Sequence, residues 1–172
     1  MFYIAKIIIK KYYNCINGNK INMNYDELYM EMALSEAKKV NSFSIPIGAV
    51  LVHSKTGIVL TKNNNNSFSK NDPFSHAEIK VLKEAAFKIG QNYLEEYSIY
   101  ITIEPCLTCF SLIKSYGIKR IIFGAENSKY GFSNFIKENK IPKIQITKNI
   151  KSDESIFLLQ TFFKELRTDS KN

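Results

Sequence analysis

Two short runs of potential metal ligands restrict the folds open to this chain: His76-Ala77-Glu78 and Pro105-Cys106-Leu107-Thr108-Cys109. Catalytic zinc takes three protein ligands and keeps a fourth position for water, and two cysteines with one histidine form an accepted set. This chain can supply that set once. Its three cysteines cannot build a Cys₄ site, and His76 and His53 are its only imidazoles. A fold that uses the set must carry His76, Cys106 and Cys109 to one point, although most of a strand and a helix lie between them.

The local spacing fits that demand in one motif and strains it in the other. Cys106 and Cys109 are three residues apart, so about 300° of helical rotation returns both thiols to one face. At a helix start they also lie near free backbone N–H groups and the positive end of the helix dipole, which favour thiolates. His76 and Glu78 are two apart, and on a regular helix they would point about 200° from each other. They can share a pocket only if His76 precedes the helix and Glu78 reaches in from its first turn. A carboxylate there can take a proton from a metal-activated water and pass it to a leaving amine. Taken singly, a CxxC also serves as a redox pair or as half of a structural zinc site. His53 reads as a turn residue and not a ligand.

Hydrophobic periodicity places these motifs on an alternating pattern of helices and strands. Tyr29, Ala33, Ala37 and Val40 predict a first helix capped by Asp26. Ile45 to Val52 predicts a buried strand, Ser54 to Gly57 a turn, and Ile58 to Lys62 a second strand. The asparagine run from Asn63 and the polar stretch to Pro73 form a loop. Ala77, Val81, Leu82, Ala85 and Ile89 mark a second helix closed by Gly90. Ser98 to Glu104 reads as a strand, Cys106 to Tyr116 as a helix closed by Gly117, and Lys119 to Gly124 as another strand. Lys143 to Thr147 offers a fifth strand, and Ser152 to Arg167 a last helix with Ile156, Leu159, Phe162 and Phe163 on one side. Helices alternating with strands imply an α/β sandwich with helices on both sheet faces.

At 172 residues and 45% hydrophobic content the chain suits one domain. That domain is expected over residues 23–172, with 1–22 as an appendage: a disordered tail, or the product of a start placed upstream of Met23. Its Cys15 reads as a spectator thiol. No apolar run approaches the roughly 20 residues of a membrane helix, and an odd cysteine count argues against a disulfide framework; a cytoplasmic setting is the expectation. The net charge of +8 is uneven. Residues 1–22 carry Lys6, Lys10, Lys11 and Lys20 with no acid, and residues 111–148 carry eight basic residues against Glu126 and Glu138. Such concentrations suit a polyanionic partner such as nucleic acid, or a solvated surface.

Together the two motifs match the signature of zinc-dependent nucleobase deaminases, H-x-E followed by P-C-x-x-C. From about Tyr25 to Arg167 the chain resembles the tRNA-specific adenosine deaminases. The likeness runs through Ile45-Pro46-Ile47-Gly48-Ala49-Val50-Leu51-Val52, Asp72-Pro73-Phe74-Ser75-His76-Ala77-Glu78-Ile79, Ile103-Glu104-Pro105-Cys106, Gly124 to Gly131, and Phe162 to Arg167. The resemblance implies a cytidine deaminase-like fold: a three-layer α/β/α sandwich on a mixed five-stranded sheet. It also implies one Zn²⁺ per chain held by His76, Cys106 and Cys109, with Glu78 as the catalytic proton shuttle. The substrate would be the anticodon stem-loop of a tRNA, whose wobble adenosine becomes inosine, and homodimers are common in the family. Asn65 would hydrogen-bond the flipped nucleoside, Ile47 would line the base pocket, and Lys129 and Phe163 would touch the anticodon loop. Asn127 departs from the family's usual aspartate, Tyr130 and Phe132 from its usual small residues, and the stretch from Gly131 to Lys143 is shorter than typical. A deaminase of free guanine or cytosine uses the same chemistry, and a non-catalytic zinc-containing RNA-binding subunit would keep the ligands while having no need of Glu78.

Overall fold

The computed structural model describes residues 24–66, 72–137 and 143–169. The expected appendage at 1–22, with Cys15, and the alternative start Met23 lie outside the described residues. Helix α1 (Tyr25–Ala37) is capped by Asn24, whose side-chain oxygen accepts a hydrogen bond from the Asp26 N–H at 3.1 Å. The spacing predicts Asp26 in that role. The structure instead gives Asp26 a tertiary one: its carboxylate pairs with Arg120 at 2.7 Å and accepts the Tyr100 hydroxyl at 2.8 Å. The helix stops at Ala37 and not at Val40, because the N–H groups of Lys39 and Val40 turn back to Glu36 and Ala37 in tight turns.

Strand β1 (Gly48–His53) begins later than the apolar run predicts. Pro46 has no N–H for a ladder, and the Ile47 N–H folds back to the Ile45 carbonyl at 2.9 Å. Gly57, at φ +70°, turns β1 into β2 (Val59–Asn64). Helix α2 (Ala77–Ile89) ends at left-handed Gly90, as its sequence implies. Strand β3 (Tyr97–Ile103), helix α3 (Leu107–Ser115) and strand β4 (Arg120–Ala125) form a parallel strand-helix-strand unit. Strand β5 (Gln145–Thr147) joins β4 in parallel, and α4 (Ser152–Asp169) closes the described chain.

The five strands lie in the order β2-β1-β3-β4-β5, with β1 antiparallel to both neighbours and the β3-β4-β5 half parallel. Alternation along the central strands sends side chains to two cores. Ala49, Leu51, Ile99, Ile101, Ile121 and Phe123 pack with α2 and α3 on one face. Val50, Val52, Tyr100 and Ile122 pack with Tyr29, Met30, Ala33 and Leu34 of α1 on the other, where Leu158 of α4 joins them. The result is the expected three-layer α/β/α sandwich on a mixed five-stranded sheet.

The apolar side of the last helix is only partly buried. On α4, Phe162 is buried, whereas Ile156 and Phe163 are 40% and 43% exposed; one turn of the helix faces the sheet while its neighbours on the same side overhang it. Phe132, in the loop after β4, belongs to the core. It is fully buried and stacks on Phe110 with ring centroids 4.2 Å apart.

Gly48 is where α1 lies directly on the sheet: a Cβ there would strike the Ala33 carbonyl and come within 2.7 Å of the Ala37 N. Both obstacles are backbone and cannot rotate away. Gly48→Ala is therefore expected to lose about 2–3 kcal/mol, lowering the thermal midpoint by roughly 5–10 °C in a melting experiment.

Candidate metal centre

The two motifs meet at one end of the sheet because each occupies a helix start. His76 is the N-cap of α2 with extended backbone, φ −76° and ψ 148°. It is therefore not on the helix at all, and the opposition that regular spacing would force on His76 and Glu78 does not arise. Glu78 is the second residue of α2 and only 3% exposed. Cys106 is the N-cap of α3, also extended, and Cys109 lies in the first helical turn, fully buried. The sequence predicts Cys106 inside the helix; as a cap it reaches Cys109 by the same short step.

The chain's donors match a tetrahedral ion. A ring nitrogen of His76 and the Sγ atoms of Cys106 and Cys109 all lie within 4.8 Å of one another, and Nδ1 is 3.3 Å from the Cys109 Sγ. Zinc with bonds of its usual length holds such donors roughly 3.6–3.8 Å apart at tetrahedral angles. The three donors occupy three corners. His53 is absent from the cluster: it ends β1 at the far side of the sheet, its ring against Tyr97 and its Nε2 3.7 Å from Glu96.

The charges at this junction are coupled. Hydrogen bonding from the Cys109 thiol, and then from His76, brings Cys106 down to about 4, and the bond to Cys106 holds the His76 imidazole above its ordinary value. Cys109 is pushed up, first by the proton it shares with Cys106 and then by burial. Burial also pushes the Glu78 carboxyl above the usual carboxylate range. Glu78 sits within hydrogen-bond reach of the Cys109 thiol, yet its Oε2 is buried with no protein partner. A buried carboxylate oxygen facing a ligand set is suited to hold a proton in transit.

The residues assigned to the substrate by resemblance fall into two groups. Asn65 and Ile47 come together at this same end: the Asn65 N–H donates to the Ile47 carbonyl at 2.9 Å, and its side-chain amide to the Ile45 carbonyl at 3.2 Å. Among the four consecutive asparagines Asn65 alone is buried, at 4% exposure. Lys129 and Phe163 are both exposed. Lys129 sits 5.1 Å from the centroid of the Tyr130 ring, and Phe163 lines a shallow cleft on α4 with Ile156, Leu159 and Arg167, beside Ala125 and Glu126 at the end of β4.

Sequence reasoning passes over two groups that shape the site. Lys80 donates to the Asn64 carbonyl at 2.7 Å and to Asn66 Oδ1 at 3.2 Å, and Ser75, next to His76, bonds Asn66 through both backbone and side chain. The asparagine segment is thereby fastened to the start of α2. Glu104, two residues before Cys106, is 2% exposed and binds the loop after β4. An acid adjoining Pro-Cys at the end of an apolar strand is a signal for it, but only a tertiary partner says what the acid holds.

Comparison with known proteins gives a consistent answer. The family model of the cytidine and deoxycytidylate deaminase zinc-binding region matches residues 23–125. The tRNA-specific adenosine deaminase of Rickettsia typhi is 34% identical over 145 residues, covering 81% of this chain and 98% of the relative. That of Bacillus subtilis is 33% identical over 155 residues, covering 87% and 95%. A structure from a study of A-to-I editing by tRNA:A34 deaminases at the wobble position superposes with a TM-score of 0.67 at 32% identity, covering 77% of this chain and 99% of that one.

Because the ligands come from two helices, binding the ion should tie α2 to α3. Zinc-loaded protein is expected to carry about one ion per chain by mass spectrometry, and Cys109→Ala less than about a tenth of that. Chelation should lower the melting temperature of the parent protein by several degrees while leaving that of Cys109→Ala unmoved.

Proposed function

The chain belongs to the cytidine and deoxycytidylate deaminase zinc-binding family and, within it, to the tRNA-specific adenosine deaminases, and from that membership we propose that it hydrolyses the wobble adenosine of a tRNA anticodon to inosine. The observation that carries the reading is the buried, unpartnered Oε2 of Glu78 beside His76 and Cys109. A structural metal site has no use for such an oxygen.

Hydrolysis replaces the C6 amine of adenosine with oxygen from water and releases ammonia. One proton of the water ends on N1 of the ring and the other on the departing amine. His76, Cys106 and Cys109 would hold a zinc ion, which when bound would supply Lewis acidity that lowers the pKa of the reacting water toward about 7. Glu78 takes the first proton at Oε2 as water attacks C6 and delivers it to N1. It then takes the second and delivers it to the amine. The burial that raises its pKa lets Glu78 keep each proton between the two transfers. The helix starts that carry Cys106 and His76 place positive dipole ends at the thiolates.

The adenosine must leave its stack to reach this junction. In our reading Asn65 and Ile47 line the pocket that receives it, and Lys129 and Phe163 meet the flanking nucleotides, a cation for phosphate and an aromatic face for stacking. Residues 23–172 act as one deaminase domain, a homodimer working in the cytoplasm. Among the described residues no helix is long and apolar enough to cross a membrane.

Sequencing a tRNA pool after incubation with zinc-loaded protein is expected to show the wobble adenosine newly read as guanosine. Turnover of free guanine or cytosine with no change in tRNA would replace this reading. Glu78→Ala should lower the rate by about 10³-fold or more while zinc and RNA binding persist; retention of the parent rate would overturn the assigned proton path.

A further inference from the structure

Glu104 is a buried carboxylate that the chemistry above does not use. It belongs to no metal-ligand cluster among the described residues, and its two oxygens are divided between two backbone donors. Oε2 accepts the Asn127 N–H at 3.1 Å and Oε1 accepts the Ser133 N–H at 3.0 Å. These donors are the two ends of one loop, and between them the loop is sewn to the Cys106 turn. Gly131 forms an isolated antiparallel bridge with Cys106, and the Phe132 N–H donates to the Pro105 carbonyl at 3.0 Å. Phe132 then anchors in the core against Phe110.

The loop also closes on itself. Asn127 accepts the Tyr130 N–H on Oδ1 at 3.0 Å and the Gly131 N–H on its carbonyl at 2.9 Å. Asn134 donates to the carbonyls of Asn127 and Ser128 at 3.1 and 3.2 Å. The tip, Ser128 to Tyr130, is exposed, whereas Gly131 and Phe132 behind it are buried. Gly131 is required here for space and not for its backbone angle, since its φ is −57°. A Cβ would collide with Glu104 Oε2 and stand 2.6 Å from the Asn127 carbonyl.

The geometry points to Glu104 as a positioning residue that locks the Lys129–Tyr130 tip to the Cys106 ligand turn, so that substrate capture and metal ligation move as one rigid piece. Hydrogen bonds donated by two backbone N–H groups to one carboxylate are strong and directional, and a buried carboxylate stays fastened to its donors because it has no water to turn to. Glu104 touches no reacting atom, so its effect should fall on substrate affinity and not on the chemical step. The affinity arm rests on the tRNA reading above; the rigidity arm does not.

Glu104→Gln keeps the volume but offers one acceptor oxygen and turns an NH₂ toward the other donor, so one tether is lost. With an anticodon stem-loop as substrate, the variant is expected to raise KM about tenfold while kcat stays within about twofold and zinc remains near one per chain. Amide hydrogen exchange at 127–133 should quicken by about tenfold or more, with α2 and α3 unchanged. Gly131→Ala, which crowds the same carboxylate, should reproduce both effects. Unchanged exchange at 127–133 in both variants would overturn the proposal, as would loss of zinc or a fall in kcat with KM unmoved, which would make Glu104 a support of the ligand turn alone. Should the parent protein fail to convert the stem-loop, the tRNA reading falls, and the exchange measurement still decides the tether.

Discussion

The convergence of two helix starts on one point is the constraint that the rest of the structure serves. His76 caps α2 and Cys106 caps α3, and the two helices lie side by side on one face of the sheet, over the core of Ala49, Leu51, Ile101 and Phe123. Caps have extended backbone and unpaired N–H groups beside them, so a side chain there can turn away from its helix toward a neighbour. Placing ligands at caps solves two problems together. It frees His76 from the helical phase that would set it against Glu78, and it gathers positive backbone ends around thiolates that must stay ionised.

From that junction the surrounding strands take their tasks. Strand β3 delivers Glu104-Pro105-Cys106 at its end, and β1 starts beside it, with the Gly48 N–H donating to Thr102 Oγ1 at 3.1 Å. The start of β1 carries Ile47, and the end of β2 carries Asn65 back to the same place. Lys80, one turn into α2, bonds the asparagine segment, while Glu104 bonds the loop after β4. The asparagine segment and the loop that carries Lys129 are therefore each fastened by a charged group to an element that bears a ligand. Distances in such a site are fixed by short polar links instead of by long packing paths, which is what positioning a reacting base within a few tenths of an ångström demands.

The opposite end of the sheet carries a separate polar cluster. Asp26, Arg120 and Tyr100 interlock there, joining the first turn of α1 to β3 and β4. The cluster holds α1 over the sheet and has no group in the chemistry. It also shows how local reading can misjudge a residue: Asp26 has the type and place of a helix cap, and the link to Arg120 is stronger than the cap it would have made, because that pair is partly buried and charged on both sides.

Much of this was legible in the residues themselves. Two cysteines and one histidine in motifs that open helices specify the ion and its open corner, because donor chemistry depends on residue type and on spacing over one turn, both of which are local. The element order was legible for the same reason: β-branched runs and helical periods are short-range patterns, and Gly90 and Gly117 supply the left-handed residue that follows a helix end. Tertiary structure decided the rest. It brought His76 to Cys109, buried Asn65 among four identical neighbours, left Phe163 in solvent while burying Phe162 and Phe132, delayed β1 to the residues after Pro46, and gave Glu104 a loop to hold. Each of these depends on a partner distant in the chain. Spacing carries no information about such a partner, because burial and hydrogen bonding are settled by whichever surface the folded chain brings alongside.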